Sequence, residues 1–221
     1  SPMSRGLGDV YKRQDIICLL TIAFSLATVF CTAKIYASLK TIRQWNHLLV
    51  VPVYLIIGLF DGAIFLMLLL TIIDGLQFFQ LNYFIIFLGA VAGLAKILYW
   101  WSIDSSQSQS STSTATGLGS SNKSVSMLDA PTTSETFIMR EMGFAIARKH
   151  SRRLRLITIL TLSIIPVIII FLMTQAIALV SPMVLGIIAI LFSYFGTIIE
   201  RWLFFAEAKH VAMLYYGASK V

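Results

Sequence analysis

Apolar runs of about twenty residues alternate with short polar stretches along the chain. A helix of about twenty apolar residues crosses the roughly 30 Å hydrocarbon layer of a bilayer, so each run predicts one membrane span. The first extends from about Ile16 to Ala37, free of charge until Lys34. The second, about Leu48 to Ile73, carries Asp61 near its middle and Pro52 in its first turns. The third, about Leu81 to Trp101, closes on Lys96 and the aromatic trio Tyr99, Trp100 and Trp101, residue types that settle at the membrane–water interface. The fourth, about Leu156 to Val180, holds Pro166, which should kink it unless neighbours take up the freed backbone group. The fifth begins near Met183, after the Ser181-Pro182 turn, and runs to about Phe205. The pattern predicts an all-α fold, a polytopic transmembrane helical bundle of five spans with one long Ser/Thr-rich loop.

The segments between the spans divide the chain further. Residues 1–14 are polar and Gly-containing before the chain turns apolar at Ile16, and they lack the apolar core of a signal peptide. They read as a non-native lead-in, similar to a translated adapter, with the natural protein expected to begin further upstream. Three spans fill residues 15–101. Eighteen of the thirty-six residues in 102–137 are Ser or Thr, a composition that cannot bury enough surface to offset its ordering entropy, so a flexible loop is expected there. Residues 138–155 read as a basic surface helix: Ile138, Met142, Ala145 and Ile146 share one face, and Arg148, Lys149, Arg152, Arg153 and Arg155 crowd its end. It serves either as a membrane-surface lead-in held by lipid phosphates or as a docking surface for an acidic partner. Two spans and a C-terminal tail complete residues 156–221.

Composition narrows the class. Hydrophobic residues make up 57% of the 221 and charged residues 12%, about half the charged share of a soluble domain. With mean hydropathy at +0.84, a cytosolic enzyme and a disordered chain are excluded, and several apolar blocks exclude a single-span anchor carrying a soluble head. The net charge of +7 does not indicate nucleic acid, because no basic stretch is interleaved with aromatics on a soluble domain. It belongs to the loops. Lys40 and Arg43 follow span one, only Asp74 follows span two, Lys123, Arg140 and the basic cluster follow span three, no charge follows span four, and Lys209 and Lys220 lie in the tail. The positive-inside rule then places the first loop, the Ser-rich loop and the C-terminus in the cytoplasm. Cys18 and Cys31 stand thirteen residues apart on one helix, roughly 20 Å, too far for a disulfide, and neither belongs to a zinc or iron–sulfur spacing.

The chemistry is confined to charges inside the spans. His47, His150 and His210 all fall in loops or flanks, so no span offers an axial haem ligand, and no haem or metal is expected in this chain. A catalytic triad, a paired-carboxylate site, a Walker loop and a dinucleotide fingerprint are absent. Each charge at mid-span costs about 2.5–3.5 kcal/mol on insertion scales and is a functional candidate by default. Asp61 is either a proton relay or a helix-capping group facing a polar interior. Lys34 and Lys96 are expected to snorkel to the headgroups. Glu200 and Arg201 are adjacent and point about 100° apart, so each is expected to pair with another helix. Glu207 returns to the Glu200 face one heptad later. Glu200 and Arg201 are expected to hold the bundle together as structural pairs; the competing reading makes Asp61, Glu200 and Arg201 candidates for a quinol or proton path.

Two stretches carry a family likeness. Ala33-Lys34-Ile35-Tyr36-Ala37-Ser38-Leu39-Lys40-Thr41-Ile42-Arg43-Gln44-Trp45 closes span one, and Glu200-Arg201-Trp202-Leu203-Phe204-Phe205-Ala206 closes span five. Together they resemble the membrane-anchor subunit of dimethyl sulfoxide reductase (the DmsC family), in which a Tyr-x-Ser motif precedes a Trp-containing loop and the last helix carries Arg followed by aromatics. The matching positions are Tyr36, Ser38, Trp45, Arg201, Phe204 and Phe205, and the likeness covers most of residues 16 to 217. It implies a haem-free, multi-pass subunit of the bacterial inner membrane in anaerobic electron transport. Such a subunit takes electrons from menaquinol and holds an iron–sulfur electron-transfer subunit and a molybdopterin catalytic subunit at the membrane. Lys40, Arg43, Arg148, Lys149, Arg152, Arg153 and Arg155 are the docking candidates. The family is an eight-helix bundle whose later part these five spans match, so its quinol-site residues are expected upstream. It also places the loop after Tyr36 on the outer side. The alternatives are a fragment of a small-solute or ion transporter with Asp61 and Glu200 as coupling sites, and a scaffold without a redox role.

Charge and family topology thus disagree on sidedness, and labelling decides between them. With Cys18 and Cys31 replaced by Ser, Ser113→Cys is expected to resist a membrane-impermeant thiol reagent in whole cells and to react after permeabilisation. Reaction in intact cells would place the loop outside.

Overall fold

The computed structural model describes residues 2–74, 79–106, 111–118, 125, 128–129, 145–175 and 180–215. Five helices are long and apolar enough to cross a membrane: α1 (Pro2–Ala37), α2 (Val50–Asp74), α3 (Phe79–Ser105), α6 (Ser151–Thr174) and α7 (Pro182–Ala206). Two short helices, α4 (Thr112–Thr116) and α5 (Ala145–Lys149), lie between α3 and α6. Among the described residues there is no β-strand, only an isolated antiparallel bridge between Ile42 and His210. The chain is an all-α, multi-pass membrane protein, as the apolar runs predict.

Several boundaries differ from the sequence reading. The backbone of α1 is continuous from Pro2, with no break after residue 14. Helix α3 continues past Trp101 to Ser105, because Ile103 is buried and extends the apolar face. Within the Ser-rich segment Ser111 caps α4 through the Thr114 amide and Gly117 closes it at φ 67°; most of the remainder lies outside the described residues. So do residues 138–144 of the expected surface helix, with Ile138, Arg140 and Met142, and Lys123 and Lys220. The part described is broken at His150, and from Ser151 the chain already belongs to α6. Arg152, Arg153 and Arg155 therefore sit on the first turns of a span. The fourth span ends at Thr174.

Helices α2, α3, α6 and α7 form a ring in which α2 packs on α3, α3 on α6, α6 on α7, and α7 on α2. Short connections make neighbours antiparallel. Helix α1 leans mainly on α2, meets α7 through Tyr36 at its end, and leaves most of Arg13–Ala37 exposed. One apolar cluster, with Val53, Ile57, Trp100, Ile103, Leu162 and Leu203, fills the end where α2 begins. Another, with Phe60, Ile64, Met67, Ile85, Ile170 and Met173, fills the opposite end.

Lipid removes the hydrophobic drive between helices, so close backbone approach has to supply the association. Here it centres on a π-helical turn, Leu160–Ile164, inside α6. The turn lies just ahead of Pro166, which falls in the first turn of the following α-helical stretch. The widening gives room for the proline ring, which lacks an N–H and would clash with a carbonyl of the preceding turn in a regular α-helix. The widened turn brings Ser163 to α3, where its hydroxyl donates to the Gly89 carbonyl at 2.7 Å. A Cβ on Gly93 would stand 2.8 Å from the Ser163 Oγ. On the other side, a Cβ on Gly196 of α7 would run into the backbone of Leu162. Backbone cannot swing aside as a side chain can. Gly196→Ala is therefore expected to cost about 1–3 kcal/mol through overpacking, read as a lower unfolding temperature in detergent and reduced membrane abundance. Gly62→Ala, with open space around it, is the control and should leave both unchanged.

Candidate functional site

The charged residues of α3 and α7 meet inside the ring. Glu200 is fully buried and is paired on one side with the Lys96 ammonium and on the other with the Arg201 guanidinium. Lys96 is 1% exposed and does not snorkel, contrary to its sequence reading. The cause is the true end of α3: Lys96 lies nine residues before Ser105, roughly 14 Å of helix, too deep for its stem to reach headgroups. Aromatic faces complete its surroundings, with Tyr99 at 4.2 Å and Trp100 at 4.9 Å from the ammonium. Lys34 is exposed, with its ammonium near the Phe30 ring.

Arg201 also departs from expectation, pairing with its chain neighbour Glu200 rather than across the ring. Its guanidinium lies 3.7 Å from the centroid of the Tyr54 ring on α2. Against this ring its Nη1 and Nη2 are buried and find no hydrogen-bond acceptor in good geometry among the described residues. Asp61 sits about two turns further along α2 than Tyr54 and accepts hydrogen bonds from the Ser193 hydroxyl and, at 2.8 Å, the Thr197 hydroxyl of α7. Helix α2 is unbroken there, so the helix-capping reading of Asp61 is replaced by a polar interior that binds its carboxylate directly. The structure thus gathers Asp61, Glu200 and Arg201 within one interior and adds Lys96, Tyr54, Ser193 and Thr197. Counted as ionised, two acids face two bases, which is how buried charge becomes tolerable.

Above this interior lies an aromatic cover. Tyr36, Trp45, Tyr54, Phe204 and Phe205 pack ring against ring, with Trp45 stacked on Phe204 at 5.6 Å and Tyr36 edge-on to Trp45 at 5.2 Å. The two stretches that carry the family likeness are therefore in contact. The cover also finishes α7, whose last carbonyls have no partner within the helix. Trp45 Nε1 donates to Phe204 O at 2.9 Å, and Arg148 Nε donates to Ala206 O at 3.1 Å. The Glu207 and Ala208 amides serve Leu203 O and Phe205 O.

The segments beyond the cover form a single end face. The Lys209 amide donates to Gln44 Oε1 at 3.2 Å, Tyr99 donates to Gln44 O at 2.8 Å, and Arg43 donates to Ser106 O at 2.6 Å. Arg155 holds Asp104 with one nitrogen pair and Glu207 with Nε at 2.8 Å. His47 bridges Ser102 Oγ at 2.8 Å and the Leu49 amide at 3.2 Å, and burial keeps its pKa below the usual histidine value. Of the docking candidates, Arg43, Arg148 and Arg155 are thus committed to this chain's own groups, whereas Lys40, Lys149, Arg152 and Arg153 stand exposed. A cavity of about 450 Å³ opens on this face between Arg43, Asp104, Arg148, Arg155, Glu207 and Lys209.

This arrangement, five spans with a buried ion cluster under an aromatic cover, accompanies one relationship to a known protein. The chain is 32% identical over 193 residues to the C subunit of the sulfite dehydrogenase from Allochromatium vinosum. The match takes in 87% of the chain and 57% of that protein. The chain therefore spans little more than half the length of the relative. No protein-family model matches the chain, and no solved structure matches it.

The ion cluster makes a thermodynamic prediction. Glu200→Gln leaves the Lys96 ammonium buried without its counter-charge, a loss of about 3–5 kcal/mol. Adding Lys96→Met should restore part of it, because the buried ammonium is then gone while the Arg201 guanidinium still lacks its carboxylate. Unfolding temperatures of the purified chain in detergent for both single variants and the double variant close the cycle. A loss in the double variant equal to the sum of the two single losses would show that the pair carries no coupling.

Proposed function

We propose that the chain is the membrane-embedded subunit of an oxidoreductase complex of the bacterial inner membrane, exchanging electrons between menaquinol and an iron–sulfur subunit bound to a molybdopterin catalytic subunit. The observation that carries the proposal is the match to one subunit of a dehydrogenase across nearly the whole chain. The resemblance of the Tyr36–Trp45 and Glu200–Phe205 stretches to dimethyl sulfoxide reductase anchors supports the reductase direction, in which menaquinol gives up two electrons and two protons. The relative's name favours the opposite direction, with the quinone as acceptor. Both directions ask the same chemistry of this chain.

Within this reading the chain's own residues have separable roles. Lys96 and Glu200 hold the ring. Arg201 offers two buried donors, Nη1 and Nη2, that a quinone or quinol oxygen would satisfy, and Asp61 is a carboxylate that a released proton can reach through the Thr197 and Ser193 hydroxyls. The basic end face, with Lys40 at its edge and Arg43, Arg148 and Arg155 around its cavity, receives the iron–sulfur subunit. No haem and no metal enter the chain's part in this scheme.

Isolation of the tagged protein in its full-length form tests the proposal. Iron and molybdenum are expected to co-purify in fixed ratio with the chain, and menaquinol analogues to exchange electrons with the complex. A chain that purifies alone and transports a solute in liposomes would favour the transporter alternative. In the same complex Arg201→Gln should assemble at near wild-type abundance, since Lys96 still compensates Glu200, and should slow quinol-dependent turnover at least tenfold. Loss of the subunit from the membrane instead would assign Arg201 to the bundle.

A further inference from the structure

A second basic concavity lies beside the end face and takes no part in the scheme above. It measures about 520 Å³ and is lined by Arg148, Lys149, His150, Ser151, Arg152 and Arg153, with no acidic residue among them. Arg148 is fixed in its wall by the bonds to Ala206 O and, at 2.9 Å, Ala208 O. Lys149, Arg152 and Arg153 are exposed, and among the described residues none of them forms an ion pair. Three like charges on neighbouring turns repel one another, so the site gains from an anion placed between them.

Position identifies the anion. The concavity straddles the start of α6 at Ser151, the level at which a span emerges among lipid phosphates. Directly along the helix below it Leu156, Ile157, Leu160, Ile164 and Ile168 are all exposed, an apolar strip running toward the bilayer centre. A cationic cradle continuous with an apolar strip matches an amphiphile that carries a negative head and hydrocarbon chains. An acidic protein surface would use the cradle and leave the strip idle.

We propose that this concavity binds the phosphodiester headgroup of an anionic phospholipid, whose acyl chains lie along the exposed face of α6. The proposal stands independently of the electron-transfer reading. Each Lys or Arg beside anionic headgroups contributes about fivefold in affinity, so three of them should discriminate strongly against a zwitterionic lipid, whose headgroup carries its own cation.

The test uses the full chain in nanodiscs of equimolar phosphatidylglycerol and phosphatidylcholine, with the lipids retained after release counted by native mass spectrometry. Phosphatidylglycerol is expected to be retained at least tenfold over its share for the unaltered chain. The triple variant Lys149→Gln, Arg152→Gln, Arg153→Gln should bring the ratio near one, while Lys40→Gln should leave it unchanged. Should the triple variant fail to fold by circular dichroism, Arg152→Gln and Arg153→Gln singly should each lower the ratio several-fold. Undiminished retention in the folded variants would overturn the proposal. So would displacement of the lipid by 10 mM inorganic phosphate, which would mark a free-anion site. Loss of a co-purifying protein from the triple variant with lipid retention intact would assign the patch to protein docking instead.

Discussion

A carboxylate placed inside a membrane bundle can remain ionised only if the surrounding helices bring it opposite charge, and Glu200 shows how that requirement organises this fold. Lys96 comes from α3 and Arg201 from the same helix as the acid, so the position of α3 against α7 is set wherever that pair forms. Slipping either helix by one turn would separate the partners by about 5.4 Å and leave two ions uncompensated in hydrocarbon. The aromatic rings follow from the same demand. Tyr99 and Trp100 face the ammonium and Tyr54 faces the guanidinium, supplying electron-rich surfaces where water would otherwise be needed.

The second constraint is steric and lies further along the same helices. Uniformly apolar spans give no stripe to orient them, so α6 is held by shape: a π-helical turn projects Leu162 and Ser163 between glycines of α3 and α7. Charge pairing near the end face and backbone contact toward the bundle's middle are complementary. The first sets the axial position of α3 relative to α7, and the second sets how closely α6 can approach both. Helix α1 takes part in neither, and its exposed length leaves the ring of four as the unit that positions the interior charges.

The spans are legible because bilayer thickness writes itself directly into sequence as length and apolarity. Asp61, Glu200 and Arg201 stand out for the same reason, as charges where charge is costly. Lys96 misleads because the aromatic trio at 99–101 looks like an interface, whereas Trp100 and Tyr99 are buried and only Trp101 faces outward. The aromatic marker of a helix end is ambiguous when one turn of it serves an internal cation. The Glu200–Arg201 pairing is hidden because side chains at adjacent helical positions diverge at Cβ; a long, flexible Arg closes that gap over its stem. The partition of the basic cluster cannot be read from sequence at all. Arg148 and Arg155 are drawn inward by α7's terminal carbonyls and by Asp104 and Glu207, partners separated from them by about fifty residues or more of chain. Their neighbours Lys149, Arg152 and Arg153 form no ion pair among the described residues.

A likeness to a dehydrogenase subunit and a resemblance to a reductase anchor need not compete. Under the proposed reading the chain contributes a place for a quinone-type molecule, donors for its oxygens and a route for its protons, and each of these serves oxidation and reduction equally. In that reading, which way electrons run is set by the potentials of the groups at either end, which would belong to the partner subunits and the quinone pool. What the chain itself must supply is reversibility of the proton step: a buried acid whose hydrogen-bond donors can turn. Asp61 meets that condition through hydroxyls, Ser193 and Thr197, which can rotate between donating and accepting, whereas the ammonium and guanidinium beside Glu200 can only donate. The division of labour between the two buried acids, one fixed by cations and one held by reorientable hydroxyls, is therefore the feature of this interior that best separates structure from chemistry.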